Sequence, residues 1–118
     1  PEVTKWPVFD REPVEQWSGG RVVLLGDACH PMRPYMAAGA AMAIEDAAVL
    51  ARCIAEVGAG EADESFAWYE ANRMPRVNKV QQISSVNTWL RTPTNPDWLF
   101  RYDACAVPLL PPGSIGSG

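Results

Sequence analysis

Apolar and polar positions change rhythm several times along this chain, and each change marks an element. Val22, Val23, Leu24 and Leu25 form a continuous apolar run between Arg21 and Gly26. Continuity instead of alternation predicts a strand over residues 21–25 with both faces buried. From residue 37 to 57 the period lengthens. Ala40, Ala43, Ile44, Ala47, Leu50, Ala51 and Ile54 then fall on one helical stripe, and Gly58-Ala59-Gly60 ends the helix.

A second helix is predicted over 61–74, with Phe66, Trp68 and Tyr69 as its large groups. Pro75 should kink or interrupt it, because a proline removes a helical donor. Helix resumes over 76–91, with Val77, Val80, Ile83, Ser84 and Asn87 on one side. Residues 92–96 break the chain, and 97–106 read as a short last helix. Near the start, 6–9 suits an edge strand, 10–17 one helical turn opened by Pro13, and Ser18-Gly19-Gly20 a turn. The expected fold is mainly α with one or two short strands. A lone strand cannot form a sheet. Either 6–9 pairs with 21–25, or an exposed edge invites another copy to pair with it.

Composition narrows the function. The 118 residues suffice for one small domain. A net charge of −4 argues against nonspecific nucleic-acid binding, which needs a basic surface. No apolar run approaches the ~20 residues of a membrane helix. The first residues, with Glu2 and Lys5, lack the apolar centre of a secretion signal. Cys29, Cys53 and Cys105 are odd in number and form no CxxC, so they read as reduced thiols in a cytoplasmic protein. The chain starts at Pro1, which suggests the C-terminal piece of a longer protein. Residues 1–110 read as that piece, with its central segment at 21–51 and a helical part at 61–110. Residues 111–118 read as a disordered tail.

Candidate chemistry gathers at 21–51. Strand, tight loop and helix is an arrangement in which a helix N-terminus offers free N–H donors and partial positive charge to a ligand. Asp27 stands directly after the strand, as a turn or N-capping residue or as a ligand contact. Gly39 costs up to ~1 kcal/mol relative to alanine inside a helix, which implies a packing or ligand reason. His30 is the only histidine and has no metal-binding partner at ligand spacing, so no metal site is expected and the residue reads as a structural hydrogen-bonding group. Cys29 beside it lacks a third orienting residue and makes a poor nucleophile candidate. Glu45 and Asp46 read as structural partners of Arg73, Arg76 or the preceding loop, and Arg52 as solvated surface.

Gly26-Asp27-Ala28-Cys29-His30-Pro31, Pro34, Gly39 and Glu45-Asp46-Ala47 together closely resemble the second flavin-binding motif of the FAD-dependent aromatic-ring monooxygenases, GDAxHxxxPxxxxGxxxAxEDA. The flanks Asp10-Arg11-Glu12-Pro13-Val14-Glu15-Gln16-Trp17 and Tyr102-Asp103-Ala104 are similar to the salicylate and 6-hydroxynicotinate hydroxylases of that family. The resemblance spans about residues 6–110. It implies an α/β FAD-binding parent that hydroxylates a small aromatic or pyridine carboxylate, using NADH or NADPH and O2. It also implies roles for single residues. Asp27 would bond the ribityl chain of FAD. Pro34 would lie beside the reactive edge of the flavin and shape the oxygen pocket. Gly39, Ala40 and Ala41 would present N–H groups to the reduced ring, and Tyr35 would face the substrate. No GxGxxG follows a strand here, so the resemblance implies half a flavin site, inactive alone, whose pyrophosphate contacts lie in a missing N-terminal portion. A homo-oligomer, or association of this chain through its exposed strand edge, is expected. The competing reading is a noncatalytic helical interaction module that docks a partner through Tyr69, Trp89, Trp98 and Tyr102.

Overall fold

A computed structural model describes residues 2–86 and 91–113. Two helices packed side by side carry it, with a small hairpin at one side. Helix accounts for about half of the chain.

The hairpin is local. β1 (Ser18–Gly19) pairs antiparallel with β2 (Val22–Val23), in the register Ser18↔Val23 and Gly19↔Val22. Gly20, at φ +56, takes the left-handed position of the connection. Leu24 N–H then donates to Trp17 O at 2.8 Å and prolongs the pairing. Two of the residues expected to form a turn are therefore strand. The apolar run is not buried on both faces, since Val22 is 67% exposed. Residues 6–9 are not a strand: Trp6 and Phe9 are exposed and pair with nothing regular. Closing a two-residue turn costs far less entropy than bringing 6–9 back across the intervening chain. The helical turn expected over 10–17 is also absent. That stretch is pulled across the next loop instead, by an Asp10–Arg33 ion pair at 2.9 Å and by Arg11 Nη2 donating to Ala28 O at 2.6 Å.

α1 spans Gly39–Val57 and ends at Gly58, whose φ of +115 suits glycine. It starts later than the pattern suggests because Ala37 is left-handed at φ +52. α2 spans Ala62–Val86 and runs through Pro75. The ring is exposed, and Arg73 and Arg76 on either side are bonded to α1. Anchored on both flanks, α2 continues although proline forfeits one backbone bond. α3 is only Asp97–Phe100. The helix expected to reach residue 106 stops at Phe100, and the chain turns at Asp103, whose carboxylate accepts from Cys105 N–H at 2.9 Å and whose carbonyl accepts from Ala106 and Val107 N–H. Side chains of the two long helices then hold the segment that follows. Arg52 donates to Ala104 O at 2.8 Å and Val107 O at 2.7 Å, and Asn72 donates to Leu110 O at 2.8 Å. Arg52 is thus a strap holding the C-terminal segment, not solvated surface. Residues 111–113 form an exposed turn, while the rest of the tail, Asn87 and Trp89 lie outside the described residues.

The core lies between α1 and α2 and includes Trp17, Met36, Met42, Val49, Cys53, Tyr69, Val77, Val80 and Leu99. α1 buries Met42, Asp46, Val49 and Cys53, which is not the predicted stripe. Ala40, Ile44, Ala47 and Ala51 point outward, and Ile44 is 72% exposed. On α2 the reading holds better, with Val77, Val80 and Ser84 buried. Among the described residues, no helix is long and apolar enough to cross a membrane.

Candidate functional site

The loop between β2 and α1 is built from two short 3-10 turns, Gly26–Ala28 and Pro34–Met36. Gly26 meets two demands at once. Its φ is +65, and a Cβ added there would sit 3.2 Å from the Cβ of Ala43 on α1. The loop can therefore lie flush on the helix only with glycine at this position. Cys29 N–H and His30 N–H both donate to Gly26 O at 3.0 Å and close the turn on itself.

Beneath the turn sits a buried charge cluster. Asp46 Oδ2 accepts from Gly26 N–H at 3.1 Å and bonds His30 Nε2, while Oδ1 accepts from Arg73 Nε at 2.7 Å. Arg73 also donates to Glu45 Oε2 at 2.8 Å and to Met42 O at 3.2 Å. Arg76 bonds both oxygens of Glu45 at 2.9 Å, as well as the carbonyls of Trp98 and Leu99. Asp46, His30 and Arg73 are completely buried. Burial opposes ionisation of Asp46, yet hydrogen bonds from His30 and Arg73 outweigh it and hold its carboxyl below the usual range. Burial likewise opposes the charge of Arg73, and Asp46 and Glu45 more than restore it.

The roles expected of Glu45, Asp46 and His30 are those observed: all three are structural partners, and Asp46 reaches both Arg73 and the preceding loop. Cys29 is no nucleophile. Its thiol is buried, donates to Gly26 O at 3.3 Å, and is pushed up to about 12 by burial and then by the nearby Asp46 charge. Ligand atoms of Cys29, His30 and Asp46 lie within 4.8 Å of one another. A cation there would meet the Arg73 guanidinium already seated on the same carboxylate, and a thiol that holds its proton.

The expected flavin-contacting residues lie on the two 3-10 turns and the first turn of α1, most of them exposed. Asp27 is exposed, and its carboxylate has no hydrogen-bond or ion-pair partner among the described residues. It does not cap the following helix, since the N-cap position of α1 is Ala38 and no side chain bonds there. Pro34 is exposed at the first position of its 3-10 turn, and Tyr35 beside it is half-buried. Gly39, Ala40 and Ala41 form the first turn of α1, with Ala40 and Ala41 exposed. A Cβ at Gly39 would meet only Met32 Cγ at 3.7 Å, an ordinary contact, so packing inside the chain does not require glycine there. A cleft of about 440 Å³ between residues 10–13 and the end of α2 is lined by none of these residues. The sequence marks Gly26 as the end of the apolar run and the start of the motif, but not Ala37, because an alanine gives no signal of a left-handed backbone.

Of the aromatic groups that could have served an interaction module, the three among the described residues, Tyr69, Trp98 and Tyr102, are engaged within the chain. Tyr69 is buried and donates to Leu24 O at 3.1 Å. Lys79 lies 4.1 Å from the Trp98 ring centroid, and Arg76 3.9 Å from that of Tyr102.

Comparison with known proteins agrees with the motif. The profile of a family described as "FAD binding domain" matches residues 2–84. The chain is 62% identical over 111 residues to the 6-hydroxynicotinate 3-monooxygenase of Pseudomonas fluorescens, covering 94% of this chain and 29% of that protein. It is 57% identical over 110 residues to the Bordetella bronchiseptica protein of the same name, covering 93% of the chain and 29% of the relative. The 3-hydroxybenzoate 6-hydroxylase of Klebsiella oxytoca is 47% identical over 76 residues, or 64% of this chain and 19% of the relative. The chain thus spans under a third of the length of these relatives.

Proposed function

The chain belongs to the FAD binding domain family, and from that premise we propose that it supplies one side of the flavin site of a monooxygenase hydroxylating an aromatic or pyridine carboxylate. The whole protein would draw electrons from NADH or NADPH and take the inserted atom from O2. Two relatives named 6-hydroxynicotinate 3-monooxygenase, at 62% and 57% identity, support a pyridine carboxylate as substrate.

The observation that carries the reading is Asp27. An aspartate in a tight turn ordinarily satisfies backbone N–H groups. This one spends its carboxylate on nothing among the described residues, in a turn that packs on α1 near Ala43, and no side chain caps the start of that helix. A free carboxylate and uncapped N–H donors on the same loop and helix suit a ligand that offers hydroxyls at one end and negative charge at the other. FAD fits this description, with its ribityl hydroxyls and its electron-rich ring edge. Asp27 would accept from the hydroxyls. The N–H groups of Gly39, Ala40 and Ala41, with the dipole of α1, would favour negative charge on the ring. Gly39, which internal packing does not require, would let the ring come close. Pro34 would shape the pocket by its rigid ring without acid–base chemistry, and Tyr35 would face the substrate. Bound FAD would supply the redox and oxygen chemistry, while protein groups supply binding, orientation and electrostatics.

The site is half of a pair. No GxGxxG follows a strand in the sequence, so the pyrophosphate contacts would come from the N-terminal portion of a parent of the relatives' length. The outward apolar face of α1, with Ile44 72% exposed, supports coverage by that portion. Free thiols at all three cysteines fit a cytoplasmic setting.

An FAD titration followed by flavin fluorescence tests the reading, with the chain alone and with the complementing polypeptide. Binding only after complementation is the expected result, since a half-site cannot offset the cost of immobilising a ligand. Demonstrated association of the two pieces without FAD binding would overturn it.

A further inference from the structure

The buried cluster beneath the turn ties the turn to both long helices through one carboxylate. One oxygen, Asp46 Oδ2, bonds both Gly26 N–H and His30 Nε2, the two ends of the turn that carries Asp27. The other oxygen is held by Arg73 of α2. Asp46 itself sits on α1, two turns beyond Gly39 and Ala40. The turn and the helix start are therefore referenced to one carboxylate, and that carboxylate is clamped from a second helix. Gly26 packs against Ala43 at a distance that leaves no slack for a Cβ.

We propose that Asp46 is a positioning residue for the flavin site, fixing the Asp27 turn at a set place relative to the first turn of α1. The role rests on the flavin reading above. It requires no contact between Asp46 and the ligand, because Asp46 is completely buried and acts through Gly26 and His30. A ligand that touches both Asp27 and the helix N-terminus needs both at once, and a small loss of register between them weakens binding out of proportion to the stability lost.

The test compares Asp46→Asn with Val49→Ala in the form of the protein that binds FAD. Val49 is a fully buried residue on the same face of α1, one turn farther from Gly39 than Asp46 and with no polar group to bond Gly26 or His30, so its truncation loosens the fold without removing the turn's hydrogen-bonded anchor. Both variants are assayed below their melting transitions. Asp46→Asn is expected to weaken FAD binding by about tenfold or more, the low end of what supporting residues behind a site cost. Val49→Ala should leave the Kd within about twofold, since the loss lies outside the positioned pair. Amide exchange gives a readout independent of FAD. In the wild-type chain the Gly26 N–H should exchange as slowly as the core of α1, and in Asp46→Asn it should exchange faster. Equal FAD affinity in Asp46→Asn and wild type would overturn the proposal, as would Kd changes that merely follow melting temperature. Should Asp46→Asn not fold, rapid exchange of Gly26 in the wild type would overturn it alone. If the wild-type protein binds no FAD even when complemented, the functional reading fails first. Slow Gly26 exchange would then still establish the anchor without its role.

Discussion

Asp46 makes the acid stability of this protein predictable. Its carboxyl titrates lower in the folded chain than when unfolded, because His30 and Arg73 bond the ionised form. A depressed carboxylate contributes stability that is fully present above its unfolded value, about pH 4, and is lost as pH falls through the lower folded value. Denaturant unfolding should show a drop in stability below about pH 4, and Asp46→Asn should flatten that drop while costing roughly 3 kcal/mol at neutral pH, as breaking a buried ion pair does. The thiols carry a second prediction. Cys105 is exposed, whereas Cys29 and Cys53 are buried and pushed up to about 12 and about 11 by burial. A thiol-reactive disulfide reagent at pH 8 should modify one cysteine quickly, and the other two only at the rate of unfolding. Rapid modification of all three would contradict the packing of the loop on α1.

Among the elements, α2 offers the sharpest test. Pro75 sits in the interior of a helix of 25 residues with its ring exposed. Proline in such a position costs ~3 kcal/mol relative to alanine. Pro75→Ala should raise stability by about 1–3 kcal/mol in urea unfolding, because Arg73 and Arg76 already hold the helix against α1 on both sides. Legibility in the sequence follows the same physics. The period marks α1, and the turn at Gly26 shows in its motif, but α2 reads as two stretches about Pro75, which the structure joins into one helix. What the period could not give was the phase of α1. A pattern reading puts alanines inside and charges outside. Here Asp46 lies inside because Arg73 neutralises it and Gly26 and His30 bond it, and the alanines lie outside. The segments at 6–9 and 97–106 also depart from their local pattern. Residues 6–9 lie exposed outside the hairpin, and after Phe100 the chain turns at Asp103, which takes the N–H groups of Cys105, Ala106 and Val107.

For the molecule as a whole, the outward phase of α1 belongs with its shape. The Cα radius of gyration is 15.7 Å, with extents of 54 × 31 × 24 Å. A compact chain of this length would have a radius near ~13.5 Å. Apolar surface is correspondingly open: Ile44 at 72%, Val22 at 67%, and Trp6 and Phe9 at 83% and 77%. Exposed apolar surface on this scale is usually covered by a partner, and relatives more than three times as long carry ample polypeptide to cover it. Isolated, the chain should associate with itself through the same surface, so its sedimentation should depend on concentration. Ile44→Lys places a charge at the centre of the outward face of α1 without touching the core, and should change unfolding free energy by no more than about 0.5 kcal/mol. It should nevertheless shift the chain toward monomer and weaken its capture by the complementing polypeptide. If Ile44→Lys leaves both unchanged, the outward face of α1 is not the covered one, and the exposed segment around Trp6 and Phe9 becomes the surface to vary next.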